Sequence, residues 1–192
     1  MQAANLSEIS DNDLQAIAQI AANAGVDLKD CYQCGKCSAG CPMTDAMDMR
    51  PQQVIRHLQL GILEPTLAAR GPWICAGCEV CSARCPQNVH ITDLMREVRK
   101  ASKATGHHPV PASNVFEEEF IKGVRKYGRS SESRLAMKFN LGSGHLFQDV
   151  AGAPKMLQRG MISVRETPAS CQPAVADLID RCFNQEGGAQ NG

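Results

Sequence analysis

Eight of the ten cysteines in this chain of 192 residues fall into two copies of one motif. The first copy contains Cys31, Cys34, Cys37 and Cys41, and the second contains Cys75, Cys78, Cys81 and Cys85. Each copy reads C-x2-C-x2-C-x3-C-P, and corresponding cysteines lie 44 residues apart. This spacing is typical of bacterial-type iron–sulfur proteins, in which soft thiolate sulfur ligates redox-active iron.

The spacing also predicts how the ligands are shared. Three cysteines at three-residue steps can curl around one cluster, whereas the fourth ligates the other cluster in two-cluster ferredoxins. We therefore predict two [4Fe–4S] clusters with exchanged fourth ligands. The first is held by Cys31, Cys34, Cys37 and Cys85, and the second by Cys75, Cys78, Cys81 and Cys41. This exchange joins both motifs into one unit with approximate two-fold symmetry, in which electrons can pass between the clusters.

Two other uses of cysteine fit less well. Structural zinc sites usually combine separated C-x2-C pairs, with four ligands for each metal ion. A disulfide framework belongs to an oxidising compartment, but residues 1–8 lack the basic and apolar runs of a signal peptide. No stretch of the sequence approaches the 18 apolar residues that a membrane span needs. We therefore expect a cytoplasmic protein that reaches a membrane only through partners.

The hydrophobic periodicity predicts an all-α fold. Helices are expected over residues 10–24, from Pro51 to Gly61, and from about 92 to 105. A helix thus follows each Cys-Pro, and the alternating pattern of β-strands is hard to find in the chain. We interpret residues 1–106 as an α-helical dicluster [4Fe–4S] ferredoxin domain.

Pro109 and Pro111 mark a boundary, after which residues 107–185 form a helical extension. Helices are expected from the Ser113 cap, over 132–139, over 154–159 and after Pro173, with a turn at 142–144. The polar, Gly-rich residues 186–192 are predicted to be a disordered tail. We expect the extension to dock a partner.

The remaining chemistry-bearing residues form no further site. Cys182 lies in an apolar stripe and is predicted to be a packed core thiol, and Cys171 has no evident base or resolving partner. The five histidines are scattered, and the basic residues between Lys122 and Lys138 are interpreted as a solvated helix face. The chain has no flavin or nicotinamide fingerprint and a net charge of zero, which disfavours nucleic-acid binding. We predict a carrier of single electrons that is not catalytic alone.

The motifs CYQCGKCSAGCP and WICAGCEVCSARCP, in this order of helices, resemble the C subunit of heterodisulfide reductase over about residues 5–185. The cysteine motifs are shared with the iron–sulfur subunits of succinate dehydrogenase and fumarate reductase, which add a [2Fe–2S] domain that this sequence lacks. They are also shared with the C subunit of anaerobic glycerol-3-phosphate dehydrogenase, which continues into domains bearing Cys-Cys-Gly. The sequence contains no Cys-Cys dipeptide.

The resemblance implies that the eight motif cysteines bind two [4Fe–4S] clusters. It further implies a relay from the A subunit, which bears flavin and clusters, to the B subunit, whose Cys-Cys-Gly cysteines hold the clusters that reduce a disulfide. Three alternatives remain open at this point. They are an iron–sulfur subunit of a quinone-linked membrane dehydrogenase, a freely diffusing ferredoxin, and a protein whose clusters only stabilise the fold.

Overall fold

The computed structural model describes residues 9–107, 109–144 and 167–188. The regular secondary structure in these ranges is helical, and they contain no β-strand, which confirms the predicted all-α class. Contacts divide the chain into two compact units, Met1–Val110 and Pro111–Gly192. Each unit is described by itself below.

The first unit contains three long helices and four short ones in its described part. They are α1 (Asp11–Asn23), α2 (Lys36–Ala39), α3 (Pro51–Gln59), α4 (Glu64–Leu67), α5 (Gly71–Ile74), α6 (Val80–Ala83) and α7 (Ile91–Ala104). Short 3₁₀ turns also form at Leu28–Asp30 and Thr44–Ala46. The long helices begin and end within about two residues of the predicted positions. Helices of four residues are too short for periodicity to reveal.

Local signals explain where α1 begins and ends. The Ser10 hydroxyl accepts a hydrogen bond from the Asp13 N–H at 3.1 Å, and the Asp13 carboxylate accepts from the Ser10 N–H at 3.2 Å. This capping box satisfies two backbone donors at the start of the helix. After Asn23 the chain turns at Gly25, whose φ of 63° suits a residue without a Cβ.

Helices α1, α3 and α7 enclose the hydrophobic core of the first unit. The most deeply buried apolar side chains of these helices are Val54 and Ile55 from α3 and Ile91, Leu94, Met95 and Val98 from α7. Cys37 on α2 and Cys81 on α6 belong to the same core. The cysteine motifs are therefore attached directly to the best-packed part of the unit.

The second unit contains α8 (Pro111–Tyr127), α9 (Glu132–Ser143) and α10 (Gln172–Gly188) in its described part. Phe116 and Phe139 join α8 to α9 edge to face, with ring centroids 6.0 Å apart. Arg125 joins α8 to α10, because its Nε lies 2.7 Å from an oxygen of Asp180. No described residue of α8 or α9 is fully buried.

Two predicted boundaries in this unit are wrong. Helix α8 begins at Pro111 rather than after a Ser113 cap, because proline is well suited to the first turn of a helix. Helix α9 continues through the predicted turn to Ser143, because Gly142 lets it approach α8: a Cβ there would lie 2.7 Å from Val115 Cγ1. Gly144, with a φ of 78°, then ends the helix. The helix predicted over 154–159 lies outside the described residues.

The last helix also departs from prediction. Cys182 is exposed on α10, so its assignment as a packed core thiol is wrong. Contacts from α10 to α8 run through Gln172 and Asp180, and they leave the apolar stripe of α10 largely uncovered. The helix extends to Gly188, three residues into the predicted disordered tail, since a helix that is already nucleated propagates at low cost. The rest of that tail lies outside the described residues.

Candidate metal centre

The two cysteine motifs have the same backbone conformation. Gln33 and Gly77, which precede the second cysteine of each motif, have φ angles of 64° and 63°. Gly35 and Glu79, which follow that cysteine, have φ angles of 79° and 60°. Left-handed residues on both sides of a cysteine bend the loop sharply. The repeat predicted from the spacing is thus present in the backbone, and Gln33 and Glu79 hold conformations that only glycine adopts freely.

A serine ties each motif to a core helix. Ser38 accepts a hydrogen bond from the backbone N–H of Gln52 at 3.0 Å, and Ser82 accepts one from Thr92 at 3.2 Å. Gln52 and Thr92 are the second residues of α3 and α7, whose first N–H groups have no partner within the helix. The serine after the third cysteine of each motif therefore caps the long helix that follows. Sequence reasoning missed both serines.

Four cysteines line one small cavity. They are Cys31, Cys34 and Cys37 from the first motif and Cys85 from the second. Gln33, Gln52 and Ile91 complete much of the wall. This is the ligand set that the sequence predicts for the first cluster, brought together from positions that lie up to 54 residues apart.

The electrostatic neighbours of Cys75 form the second set. Burial raises the pKa of the Cys75 thiol, and the nearby charges of Cys81, Cys41 and Cys78 raise it further, while a backbone hydrogen bond at Gly77 opposes them. Cys41 of the first motif, Cys78 and Cys81 are therefore all close to Cys75. The thiols of both predicted sets are thus grouped across the two motifs.

The two groups of thiols are also neighbours of each other. Burial raises the pKa of Cys37, hydrogen bonds from Ser38 lower it, and charges on Cys31 and Cys81 raise it. Cys81 belongs to the second set, so the sets meet where α2 packs on α6.

The donor set suits a cluster with several irons. Of the eight motif cysteines, Cys34 and Cys78 are exposed, and the other six are buried or half-buried. Four of the eight, Cys31, Cys34, Cys37 and Cys85, surround a small cavity. Soft thiolates arranged in this way fit an iron–sulfur cluster, which supplies one-electron chemistry when bound.

Arg84 and Gly40, which occupy corresponding positions in the two motifs, lie against each other. A Cβ built on Gly40 would be only 2.6 Å from Arg84 Nη1. The guanidinium of the second motif therefore extends across the last turn of α2, where glycine leaves room for it. Sequence reasoning missed this contact, because it considered each motif separately.

Two glutamines of α3 hold the loop of the first motif. Gln59 Nε2 donates to the carbonyls of Leu28, at 2.7 Å, and Cys31, at 2.8 Å. Gln52 Nε2 donates to the Gln33 carbonyl at 3.1 Å. Gln52 and Gln59 are seven residues apart on α3, so both face the motif. That spacing is the signal by which the sequence could have identified them.

None of the other described cysteines and histidines lines the cavity. Cys171 and Cys182 are both exposed in the second unit. Burial lowers the pKa of His57, and His107 Nε2 lies 2.9 Å from a Glu64 oxygen. His108 and His145 lie outside the described residues. No helix in the described ranges combines the length and the apolar character needed to cross a membrane.

Comparison with known proteins agrees with this centre. Residues 27–89 match the family described as 4Fe-4S dicluster domain. The chain is 36% identical over 84 residues to the C2 subunit of the H(2)/formate:CoB-CoM heterodisulfide,ferredoxin reductase of Methanococcus maripaludis, covering 44% of this chain and 45% of that protein. It is 34% identical over 107 residues to an iron–sulfur C subunit of the CoB--CoM heterodisulfide reductase of Methanocaldococcus jannaschii, covering 47% and 57% of the two chains. The iron–sulfur C subunit of the CoB--CoM heterodisulfide reductase of Methanopyrus kandleri is 32% identical over 82 residues, covering 43% of each chain.

These matches confirm the predicted resemblance to the C subunit of heterodisulfide reductase over the dicluster region. The chain matches only about half the length of these relatives. The similarity therefore supports [4Fe–4S] clusters and electron transfer as the chemistry of the matched region.

Proposed function

We propose that this chain is the electron-transfer subunit of a heterodisulfide-reductase-type complex. It takes single electrons from the flavin- and iron–sulfur-bearing A subunit and passes them to the Cys-Cys-Gly-bearing B subunit, which reduces a disulfide. Two electrons and two protons convert one disulfide to two thiols, so two transfers serve each turnover. The chain is not catalytic alone, and it works in the cytoplasm.

The observation that carries this proposal is the grouping of thiols across the two motifs. Cys31, Cys34, Cys37 and Cys85 line one cavity, and Cys41, Cys78 and Cys81 are electrostatic neighbours of Cys75. We assign the first set to one [4Fe–4S] cluster and the second to another. Cys37 and Cys81, one from each set, lie close together in the core. Two cofactors held this way form a short path for an electron through rigid protein.

We further propose that the dicluster domain is residues 1–106 and that the extension, residues 107–185, docks a partner. Helices α8 and α9 have no fully buried residue in their described parts. Large apolar side chains are exposed on this unit, among them Met137, Leu141, Leu178 and Phe183. Exposed apolar surface of this kind is typical of a protein–protein contact.

Isolation of the native protein under anaerobic conditions tests the proposal. The affinity-tagged chain, expressed in its own host, is expected to co-purify with a flavoprotein and a Cys-Cys-Gly chain, with flavin in the eluate. A matched control carries Cys31→Ala and Cys75→Ala, one substitution for each proposed cluster, and should yield complexes in which the flavin is reduced but no electron reaches the Cys-Cys-Gly chain.

Other outcomes would decide between the alternatives. A lone brown protein that is a stable monomer would contradict the complex and favour a freely diffusing ferredoxin. A partner with transmembrane helices would favour a quinone-linked membrane dehydrogenase. An absorption spectrum that dithionite leaves unchanged would mean that the clusters only stabilise the fold.

A further inference from the structure

At the position before the second cysteine, the two motifs share a backbone conformation but differ in side chain. Gln33 and its counterpart Gly77 have φ angles of 64° and 63°, so the loop bends equally in both motifs. Gln33 Nε2 lies 3.4 Å from Cys31 Sγ, within the longer range of a hydrogen bond to sulfur. Gly77 has no side chain that could make such a bond to Cys75. Cys31 therefore has a side-chain amide donor that Cys75 lacks, whereas Cys75 has a hydrogen bond from the backbone of Gly77.

The surrounding hydrogen bonds fix which end of the Gln33 amide faces the sulfur. Gln59 must turn its nitrogen to the carbonyls of Leu28 and Cys31, because a carbonyl oxygen only accepts. Its oxygen is then left as an acceptor, and Gln33 Nε2 donates to it at 3.2 Å. The same Gln33 nitrogen thereby faces Cys31 Sγ. The orientation of the amide follows from the network as a whole and from no single contact.

We propose that Gln33 raises the reduction potential of the cluster held by Cys31, Cys34, Cys37 and Cys85. This inference rests on the ligand sets of the proposed function. An added electron increases the negative charge on the ligating sulfur atoms, so an N–H donor stabilises the reduced state more than the oxidised state. Gln33 is thus a positioning residue that makes two clusters with the same ligand spacing inequivalent. Gln59 supports it by holding the amide nitrogen toward Cys31.

The second set of cysteines has a different side-chain hydrogen-bond donor, Thr92, which neither of the substitutions below changes. Thr92 Oγ1 lies 3.3 Å from Cys81 Sγ, and a ligating thiolate has no proton, so the threonine would donate. A Cβ on Gly77 would meet no heavy atom within 4 Å. A glutamine can therefore be placed there, in a backbone conformation that Gln33 already adopts.

The test is a potentiometric titration of the anaerobically reconstituted full-length protein, followed by electron paramagnetic resonance. Gln33→Met keeps an unbranched side chain of similar length over the sulfur but removes the N–H. The midpoint potential of one cluster is expected to fall, while that of the other stays at the wild-type value. Variants Cys85→Ala and Cys41→Ala, each with one predicted cluster intact, identify which signal belongs to which set.

The reciprocal variant, Gly77→Gln, provides a second test that does not depend on the Gln33→Met variant. Gly77→Gln is expected to raise the midpoint potential of the cluster held by Cys75, Cys78, Cys81 and Cys41, and to leave the other unchanged. The inference is overturned if Gln33→Met retains the wild-type iron content and both midpoint potentials. If Gln33→Met fails to bind clusters, the result for Gly77→Gln decides. An unchanged midpoint potential of the second cluster in that variant overturns the inference, and an upward shift upholds it. A wild-type protein that binds no cluster would instead contradict the proposed function.

Discussion

At the scale of single residues, the question that matters most is which cluster Cys85 serves. Its side chain lines the cavity of the first motif, although its own motif is the second. The proposed exchange of fourth ligands between the clusters can be tested with pairs of cysteine substitutions. A pair within one set damages one cluster, whereas a pair that spans both sets damages two.

The first prediction compares two double variants. Cys34→Ala with Cys85→Ala should keep roughly half of the wild-type iron, because both residues serve one cluster. Cys78→Ala with Cys85→Ala should lose nearly all of it, because each cluster then lacks one thiolate. Iron and acid-labile sulfide, measured per folded protein after anaerobic reconstitution, give the ranking. The opposite ranking would mean that each motif holds its own cluster with four local ligands.

A second prediction concerns His57 on α3. Burial lowers the pKa of His57 below its ordinary value of 6.5, and no described group accepts a hydrogen bond from or donates one to its Nδ1. The unfolded chain therefore binds a proton more readily than the folded chain. The free energy of unfolding should be insensitive to this group above about pH 6.5 and should decrease as the pH falls from about 6.5 toward the lowered pKa.

The variant His57→Gln should remove that part of the pH dependence when both proteins carry the same amount of cluster. Denaturant unfolding at several pH values between about 5.5 and 7.5 measures the difference. His90→Gln, which changes an exposed histidine, is the matched control. Equal pH dependence in wild type and His57→Gln would show that burial of this imidazole has no energetic effect.

At the scale of elements, the position of Cys75 depends on how α5 meets the segment before α3. Asp48 accepts hydrogen bonds from the backbone N–H groups of Arg70, at 2.9 Å, and Gly71, at 2.8 Å. On the other side of α5, Trp73 Nε1 donates to Ser102 on α7 at 3.1 Å. The helix that leads to Cys75 is thus held from two sides.

The third prediction tests this contact. A Cβ on Gly71 would lie 2.0 Å from the Met49 carbonyl oxygen, and backbone cannot move away as a flexible side chain can. Gly71→Ala should therefore lower the free energy of unfolding by about 1–3 kcal/mol. Urea unfolding measures the change. Gly123→Ala is the matched control, since a Cβ there meets no heavy atom within 4 Å and alanine should stabilise α8 by roughly 0.5–1 kcal/mol. Equal stability of the two variants would contradict this account of α5.

The elements also show what the sequence could predict and why. Ser10 and Gly25 act on neighbouring residues, so the bounds of α1 were predictable from local pattern. Ser38 receives its hydrogen bond from Gln52, 14 residues away, and only the folded chain brings them together. The apolar stripe of α10 was visible in the sequence, but periodicity does not reveal whether another element covers it. For that reason Cys182 was misassigned.

The same distinction holds for the candidate centre. The cysteine motif, with its known use in two-cluster ferredoxins, predicts that Cys85 joins Cys31, Cys34 and Cys37, and these four thiols line one cavity. The glutamines around Cys31 were not predicted, because Gln59 reaches back 28 residues to the Cys31 carbonyl. The cysteine spacing therefore predicts a grouping of thiols, whereas the groups that surround them depend on the packing of α3.

At the scale of the whole molecule, the two units differ in how they bury apolar surface. The first has a core of fully buried side chains around the cysteine motifs. In the described part of the second, Met137 and Leu141 are 61% and 62% exposed, one helical turn apart on α9. The comparisons support cluster chemistry in the first unit, and the proposed partner contact belongs to the second.

The fourth prediction is that Met137→Gln with Leu141→Gln weakens binding of the partner proteins while the iron content stays at the wild-type level. Removing two apolar side chains from an interface lowers its affinity, but neither residue belongs to the unit that contains the eight motif cysteines. Co-purification at matched expression measures the effect. Leu14→Gln, which alters an exposed leucine of the first unit, is the control and should retain the partners. Equal loss in both variants would contradict docking through the second unit.

The proposed function requires two redox-active [4Fe–4S] clusters close enough to share an electron. Electron paramagnetic resonance of the anaerobically reconstituted protein during stepwise reduction with dithionite, with iron measured in the same sample, tests this requirement. We expect about eight iron atoms per chain and a fully reduced spectrum in which two paramagnets interact magnetically. A single isolated signal with about four iron atoms, or a protein that dithionite does not reduce, would contradict the proposed function.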